Sequence, residues 1–584
     1  MLRGDHATRI VALGFWASLL ATVCYIATFA SAFPHDDDWE VLPFTLGLPQ
    51  YFPVTWDWLW RPHNEHRILL PRLLWIGVVK VFGADPRVLI WLDVALLALT
   101  AAVFLRVARN IRGRTAVTDV VIPLSLLGLG QYCNTLWAFQ VMWFLPILLF
   151  AVSALAMTRQ MTAGSAILAV ACTIPMTLCG GPGLLLGAPI LAWSFARAAW
   201  LWFAPAESGQ RQRGGAIAVF ALALASLACI VLYLRGLGRS TDSGPLQPWL
   251  VLQGCVEFLS VAVGPADGAA MPVVGDVLAG IVVGAAAVLC AVGWRREHRR
   301  TAAGVAAVLG GVVLLATAIS WGRGPRTLGA GWLPRYTLPA SLFFPAVQLA
   351  LAVAVQGRRR WPAQALSIGM LALLAWRIPA NAQQAIRHGQ ETTNAYRALE
   401  ADIRGGVPAM TLARRHYASI FNWPKEVPRV ALYLQMMDYA DFGPFRDPAV
   451  TLDLTPEPSV AQTVELRPVT VVEATFADGR GVGTGGDSQL WFRLPAPVRA
   501  AEVKLQIAVL PDQGPDVTCE IFWTRAEDSV ATWDHAVEFR LASREEPQSV
   551  VVSLGGHEMN WLRIDPANTT CRFRIDAITL MVLR

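Results

Sequence analysis

Three consecutive carboxylates, Asp36, Asp37 and Asp38, follow an apolar stretch, and a His63-Asn64-Glu65-His66-Arg67 run comes before the next one. Between them lies an aromatic cluster that includes Trp56, Trp58 and Trp60, suited to hold a loop at a membrane interface. Carboxylates beside hydrocarbon are costly unless they are solvated, paired or used, which marks this loop as a candidate site. The plainer alternatives are a helix N-cap or solvated turn for the aspartates and a surface ion pair between Glu65 and Arg67. A second candidate set is Arg323, Arg326 and Arg335 in WGRGPRTLGAGWLPRY. Arginine forks donate two bonds at once to a phosphate, and the glycines there let backbone approach a ligand. Three carboxylates near histidines offer oxygen donors to Mg²⁺ or Mn²⁺. Consecutive residues cannot all point at one ion, so no metal is expected to be required.

The elements that must position these groups follow from composition. The 584 residues are 55% hydrophobic and 15% charged, well below the roughly 25% charge of soluble domains, so the chain reads as an integral membrane protein. Its net charge of +6 sits in short clusters between apolar runs, as topology signals do, and does not suggest nucleic acid. Only Lys80, Lys425 and Lys504 are lysines.

About eleven spans are expected, near Ile10 to Ala30, Arg87 to Leu105, Val120 to Gln131, Val141 to Met157, Ala163 to Leu178, Leu184 to Phe203, Ala216 to Leu234, Val273 to Gly293, Ala302 to Ser320, Leu338 to Val355 and Pro362 to Ile378. Ile68 to Phe82 is expected to lie flat at the interface, which keeps the basic Arg106 to Arg114 run inside. The N-terminus is then cytoplasmic, Arg235 to Met271 forms a long external loop, and the three candidate arginines lie outside, where topology does not explain them.

The domain reading is residues 1–380 as a membrane domain with an external acidic loop at 33–87, residues 381–455 as a helical connector, and residues 456–584 as a β domain. From about Val464 the pattern changes to period two, in short runs separated by turn residues, which predicts a β-sandwich of jelly-roll type. Trp491, Trp523, Trp533 and Trp561 are available there to stack on sugar rings, although sandwich aromatics are commonly core. Cys519 and Cys571 could pair in an oxidising compartment.

The order of these features resembles the GT-C superfamily, membrane glycosyltransferases that use polyprenyl-phosphate sugars, such as protein O-mannosyltransferases and the lipid A aminoarabinose transferase. The matching residues are Asp36, Asp37 and Asp38, His66 with Arg67 to Pro71, Val81-Phe82-Gly83, and Arg87. Where members carry His-Pro-Pro before the interfacial helix, this chain has His-Arg-Ile-Leu-Leu-Pro. The resemblance implies a bacterial inner-membrane enzyme with a periplasmic or extracellular C-terminal domain. Its donor would be a polyprenyl-phosphate-linked sugar drawn from the lipid, and its acceptor a glycan, lipid or protein. One of the three aspartates would be the base, Asp36 or Asp37 by preference. Arg323, Arg326 and Arg335 would bind the donor phosphate, and His63, Glu65, His66, Arg67 and Gln140 would line the cavity. Gln131, Asn134 and Trp137 either join that lining or satisfy interhelical hydrogen bonds. The rival functions are transport of a lipid-linked glycan, which predicts charges buried mid-helix, and a non-catalytic scaffold of envelope assembly.

Overall fold

The computed structural model describes residues 6–45, 54–64, 66–83, 85–159, 162–203, 213–237, 248–265, 270–293, 295, 298–323, 330–355, 361–421, 427–439, 441, 443–454, 459–485, 487–512, 516–524, 536–554, 556 and 558–583. They fall into two compact units, Met1–Pro34 with Gly47–Thr393, and His35–Leu46 with Asn394–Arg584.

Each of the eleven expected stretches carries helix, with Val120 to Gln131 broken into short α and 3-10 segments. Among the described residues nine helices are long and apolar enough to cross a membrane: His6–Phe29, Arg87–Arg112, Ala138–Thr158, Gly181–Phe203, Arg213–Leu234, Met271–Gly293, Arg299–Gly322, Pro334–Ala354 and Trp361–Arg404. Of the eleven expected spans, Val117–Gln131 and Ala163–Leu178 are shorter than the ~20 residues that cross about 30 Å of hydrocarbon. A further apolar helix, Pro248–Ser260, occupies the middle of the stretch expected to be an external loop. Leu69–Phe82 is a helix of 14 residues and is not among the nine.

Large side chains fill the space between these helices, with Phe104, Phe144, Phe150, Phe258, Phe343 and Phe344 fully buried. Close approach is bought by small residues. At Gly311 a Cβ would stand 3.0 Å from the Phe150 ring and 3.1 Å from the Leu186 carbonyl, so glycine lets three helices meet there. One member of the basic run is structural. Arg112 pairs with buried Asp119, whose carboxylate also accepts from Gln348 Nε2 at 2.9 Å and from the Ala116 amide at 2.9 Å. Those extra donors let a buried ion pair repay its desolvation.

The expected boundary at residue 380 falls inside a single 44-residue helix, Trp361–Arg404. The sequence turns polar there but stays helix-compatible, and a fall in hydropathy does not stop a helix. The acidic stretch His35–Leu46 groups with the C-terminal unit. Trp39 stacks on Tyr433 at 5.0 Å and 11°, and Arg429 pairs with Glu40 at 2.7 Å.

Among the described residues the β region of the second unit has ten antiparallel strands: β1 (Ser459–Thr463), β2 (Thr470–Val472), β3 (Ala474–Ala477), β4 (Arg480–Gly483), β5 (Gln489–Pro511), β6 (Asp516–Thr524), β7 (Ala536–Ala542), β8 (Arg544–Ser553), β9 (Glu558–Asp565) and β10 (Cys571–Leu583). The 23-residue β5 serves two sheets. Residues 489–499 pair with β2 and β9, and from Ala500 onward β5 pairs with β10 and β8. A strand that changes sheets in this way makes the corner of a sandwich. The inner faces enclose one core that includes Phe492, Leu505, Ile521, Trp523, Ile564 and Ile575.

Trp523, expected among the sugar-stacking residues, is 1% exposed in that core. It shares strand parity with Cys519 and Ile521, which also face inward. Trp491 and Trp561 are half-buried, and Trp533 lies outside the described residues. Cys519 and Cys571 are both free and buried. Burial pushes both thiols up, Cys571 to about 11, so they behave as core hydrophobes.

Glu538, Glu520 and Asp565 are direct neighbours across β7, β6 and β9. Like charges so placed are unfavourable. Burial, then Asp565 and Glu538, push the Glu520 carboxyl up from 4.5 to about 7. A folded-state value raised above the unfolded one makes ionisation cost stability, beginning as pH rises past 4.5 and complete above about 7. Glu520→Gln is therefore expected to raise stability at pH 8 by about 1 kcal/mol, discounted for solvent screening, and to change nothing near pH 4.5. Thermal melts of the full chain at both values check it.

Candidate functional site

In the first unit, His63, Asn64, His66 and Arg67 sit where several helices end. His63 and His66 exchange backbone hydrogen bonds of 2.6 and 2.9 Å, and Asn64 takes φ +49° between them, a conformation that asparagine tolerates better than most residues. Glu65 lies outside the described residues. The His63 ring packs against Phe139 at 4.9 Å, beside Gln140 at the start of helix Val141–Thr158. Gln140 is 2% exposed, and its side-chain oxygen has no hydrogen-bond partner among the described residues. A buried acceptor left without a donor costs ~1–3 kcal/mol, which makes Gln140 the clearest cavity-lining candidate of the predicted set.

The His66 ring lies over the start of helix Gly181–Phe203. A Cβ on Gly181 would stand 2.8 Å from His66 Nδ1 and 3.0 Å from its Cε1. Gly181→Ala is expected to displace this imidazole and lower activity severalfold at nearly unchanged stability; turnover measured beside a thermal melt separates the two.

Arg67 is 6% exposed and is spent on backbone. Its guanidinium donates to the carbonyls of Trp60 at 2.5 Å, Tyr233 at 3.0 Å and Arg235 at 2.7 Å. A cation donating to the last carbonyls of helix Arg213–Leu234 is favoured by the helix dipole. Arg72 does the same for helix Trp56–Trp60, reaching the carbonyls of Trp58 at 2.5 Å and Arg61 at 2.6 Å. Both arginines position the loop rather than bind through a free fork.

Gln131 donates to the carbonyls of Ser125 at 3.2 Å and Thr337 at 3.5 Å, and Asn134 donates to Gln131 Oε1 at 3.4 Å. Gln131 thus bridges to the segment of Thr337, while Asn134 bonds locally to Gln131. Gln131 also lines a cavity of about 220 Å³ with Ser18, Ser125, Thr337 and Asn381. Gly264, at φ +103°, closes one side, where a Cβ would meet Asn381 Oδ1 at 2.2 Å. Asn381 donates to Val263 O at 2.8 Å, and Arg377 donates to Pro265 O at 2.7 Å.

Of the three arginines expected to hold phosphate, Arg326 lies outside the described residues and Arg323 ends helix Arg299–Arg323. Arg335 is half-buried, with its guanidinium 5.5 Å from the Tyr336 ring. Sequence reading missed Asp93, which is 1% exposed in helix Arg87–Arg112. The signal was present, since a lone carboxylate inside an apolar span is a functional candidate by default.

In the second unit the aspartates form a built turn. Asp36 has φ +43°, and its amide donates to the Ile420 carbonyl at 3.0 Å. Asp38 opens helix Asp38–Thr45, where a carboxylate suits the helix dipole. It is 1% exposed, and its Oδ2 accepts from the His35 amide at 3.0 Å. The His35 ring bridges Tyr396 Oη at 3.2 Å and Asp36 Oδ2 at 3.4 Å. The Asp36 side chain keeps 36% exposure. The Asp38 carboxylate is therefore taken up by the turn itself, accepting from the amide three residues before it, whereas Asp36 presents a carboxylate to solvent with an imidazole at its side.

No family model and no curated protein matches the chain. Two solved structures of the arabinofuranosyltransferase AftD from mycobacteria, two classes of one mutant, align with 98% of it at 12% identity, with TM-scores of 0.30 and 0.29. The alignments cover 62% and 61% of those chains, so this chain spans less than two thirds of their length.

Proposed function

We propose that this chain is a GT-C type glycosyltransferase of a bacterial inner membrane, moving a sugar from a polyprenyl-phosphate donor to a cell-envelope glycan, lipid or protein at the external face. The observation that carries this reading is the Asp36 turn: a carboxylate in a left-handed backbone conformation, half-open to solvent and set beside an imidazole. Non-glycine residues are held in that conformation where surrounding structure over-determines them, often at functional sites. In the reaction, the Asp36 carboxylate takes the proton of the acceptor hydroxyl as its oxygen bonds to the anomeric carbon. The bond from that carbon to the phosphate oxygen breaks, and the lipid phosphate leaves with the electron pair. Arg323, Arg326 and Arg335 are the proposed cations for that phosphate, because developing negative charge is where fixed donors lower a barrier. No metal ion is required in this scheme.

The test uses membranes carrying a radiolabelled lipid-sugar pool, with Asp36, Asp37 and Asp38 replaced singly by Asn. Wild-type protein should move label from the lipid fraction to insoluble glycan, and Asp36→Asn should not. Equal transfer by all three variants would overturn the reading. Transport of a lipid-linked glycan is the second reading, favoured by Asp93 and Arg377, ionisable side chains buried within long helices. It predicts label that stays in lipid but changes sides.

A further inference from the structure

Helices Ala270–Gly293 and Arg299–Arg323 of the membrane unit leave a trough between them. It measures about 430 Å³ and is walled by Leu289, Cys290, Ala302, Ala306 and Val313, among others, a volume within the ~300–1,000 Å³ of small-ligand sites. The lining is apolar except at one end, where Arg299 enters it. Cys290, Ala306 and Val313 are exposed, so the trough opens to the surroundings of the helices. Both helices are long and apolar enough to cross a membrane, which makes those surroundings lipid. From Arg299 to Val313 the helix advances roughly 21 Å at ~1.5 Å per residue. A lipid chain starting at Arg299 would therefore run past the middle of a hydrocarbon core about 30 Å thick.

The charged end has no internal use. Helix Arg299–Arg323 contains no carboxylate, and the one in helix Ala270–Gly293, Asp276, sits near its far end. Arg299 makes no ion pair with any described residue. Its neighbour is anchored instead: Arg300 and Arg197 share the Trp200 ring, 4.4 and 4.1 Å from its centroid. That contact pins the start of helix Arg299–Arg323 against helix Gly181–Phe203 and leaves Arg299 at the mouth of the trough. The two walls meet beside it, where a Cβ on Gly293 would stand 3.6 Å from Ala302 Cβ. The positive-inside tendency accounts for arginines at this end, but not for an apolar trough that runs away from one of them. A free anion has no use for the trough, and a lipid of zero net charge gains little from an uncompensated guanidinium.

We infer that the trough binds an anionic glycerophospholipid of the phosphatidylglycerol type, with the Arg299 fork on its phosphate and one acyl chain along Cys290, Ala306 and Val313. The site goes beyond the transfer reading. Arg323, a proposed donor-phosphate cation, ends the same helix roughly 36 Å away at ~1.5 Å per residue, so this lipid comes from the opposite leaflet. The test is native mass spectrometry of the delipidated full chain, titrated with phosphatidylglycerol and with phosphatidylcholine of the same acyl chains. Phosphatidylglycerol is expected to bind in preference, with about tenfold loss in Arg299→Gln, the effect of one charge-assisted bond, and a smaller loss in Arg299→Lys. Ala306→Trp, at an exposed position, should fill the trough and lose binding at an unchanged melting temperature. Phosphatidylglycerol should also slow N-ethylmaleimide labelling of Cys290 severalfold without slowing that of Cys24, which is exposed on helix His6–Phe29. Equal retention of phosphatidylcholine, wild-type affinity in Arg299→Gln or Ala306→Trp, unprotected Cys290, or tighter binding of a polyprenyl phosphate would each overturn it. So would a Cys290 cross-link between two copies of the chain that excludes the lipid.

Discussion

Asp36→Asn is expected to lower sugar transfer at least ~100-fold, the lower end of what a positioned general base contributes, and to leave the melting temperature within a degree or two. Asparagine is the correct replacement, because it tolerates the left-handed conformation that Asp36 holds at φ +43°. Alanine would add ~1–2 kcal/mol of backbone strain to the lost carboxylate and confuse the two. Asp38 should behave differently. Its carboxylate is buried and accepts the His35 amide at 3.0 Å, so Asp38→Asn removes a charged acceptor that fixes the turn. Its expected signature is lower stability together with a smaller loss of transfer, whereas Asp36→Asn loses turnover alone. Turnover and thermal melts on the same preparations distinguish them, and a stable, fully active Asp36→Asn protein would remove Asp36 from the base role.

How far the chain could be read in advance depended on how local each signal is. The apolar runs and the change to period two near Val464 are local properties, and the helices and strands follow them closely. Helix Pro248–Ser260 was legible too, since PWLVLQGCVEFLS is apolar; its length, short of a span, hid it in a loop. The parity of Cys519, Ile521 and Trp523 likewise announced that Trp523 points inward. What local pattern does not carry is the docking of residues 35–46 with the C-terminal unit. That depends on Trp39 meeting Tyr433 and on Arg429 meeting Glu40, partners almost four hundred positions away.

The candidate site divides in the same way. Asp36, His63 and His66 were readable as residue types beside a membrane, and Gln140 as a polar group at a helix start. The division of labour among them was not. Arg67 reads in sequence as a cavity-lining residue or a partner of Glu65, yet it, like Arg72, is used on backbone carbonyls at a helix end. An arginine's destination depends on which carbonyls the fold leaves unsatisfied, and that is known only once the helices have met.

Arg67→Ala is accordingly expected to be among the most destabilising single changes in the membrane unit. Three carbonyls, those of Trp60, Tyr233 and Arg235, lose their charged donor together. Hydrogen bonds to a charged group contribute ~1.5–3 kcal/mol each, and a buried acceptor left alone costs ~1–3 kcal/mol, so a net loss of about 3 kcal/mol or more is expected even if water reaches one of them. The stacking of the guanidinium on Trp60, 5.1 Å from the ring centroid, goes as well. Arg67→Lys should recover less than half, because one ammonium cannot serve three carbonyls that a planar fork serves at once. The effect should be local in origin: helix Arg213–Leu234 frays at its C-terminal end, where the chain leaves through Gly236 at φ +71°. Hydrogen exchange should therefore show faster amide exchange in residues 230–235 of Arg67→Ala than in the helix interior. A wild-type melting temperature with unchanged exchange would show that the carbonyls find water unaided and that Arg67 is free for another task.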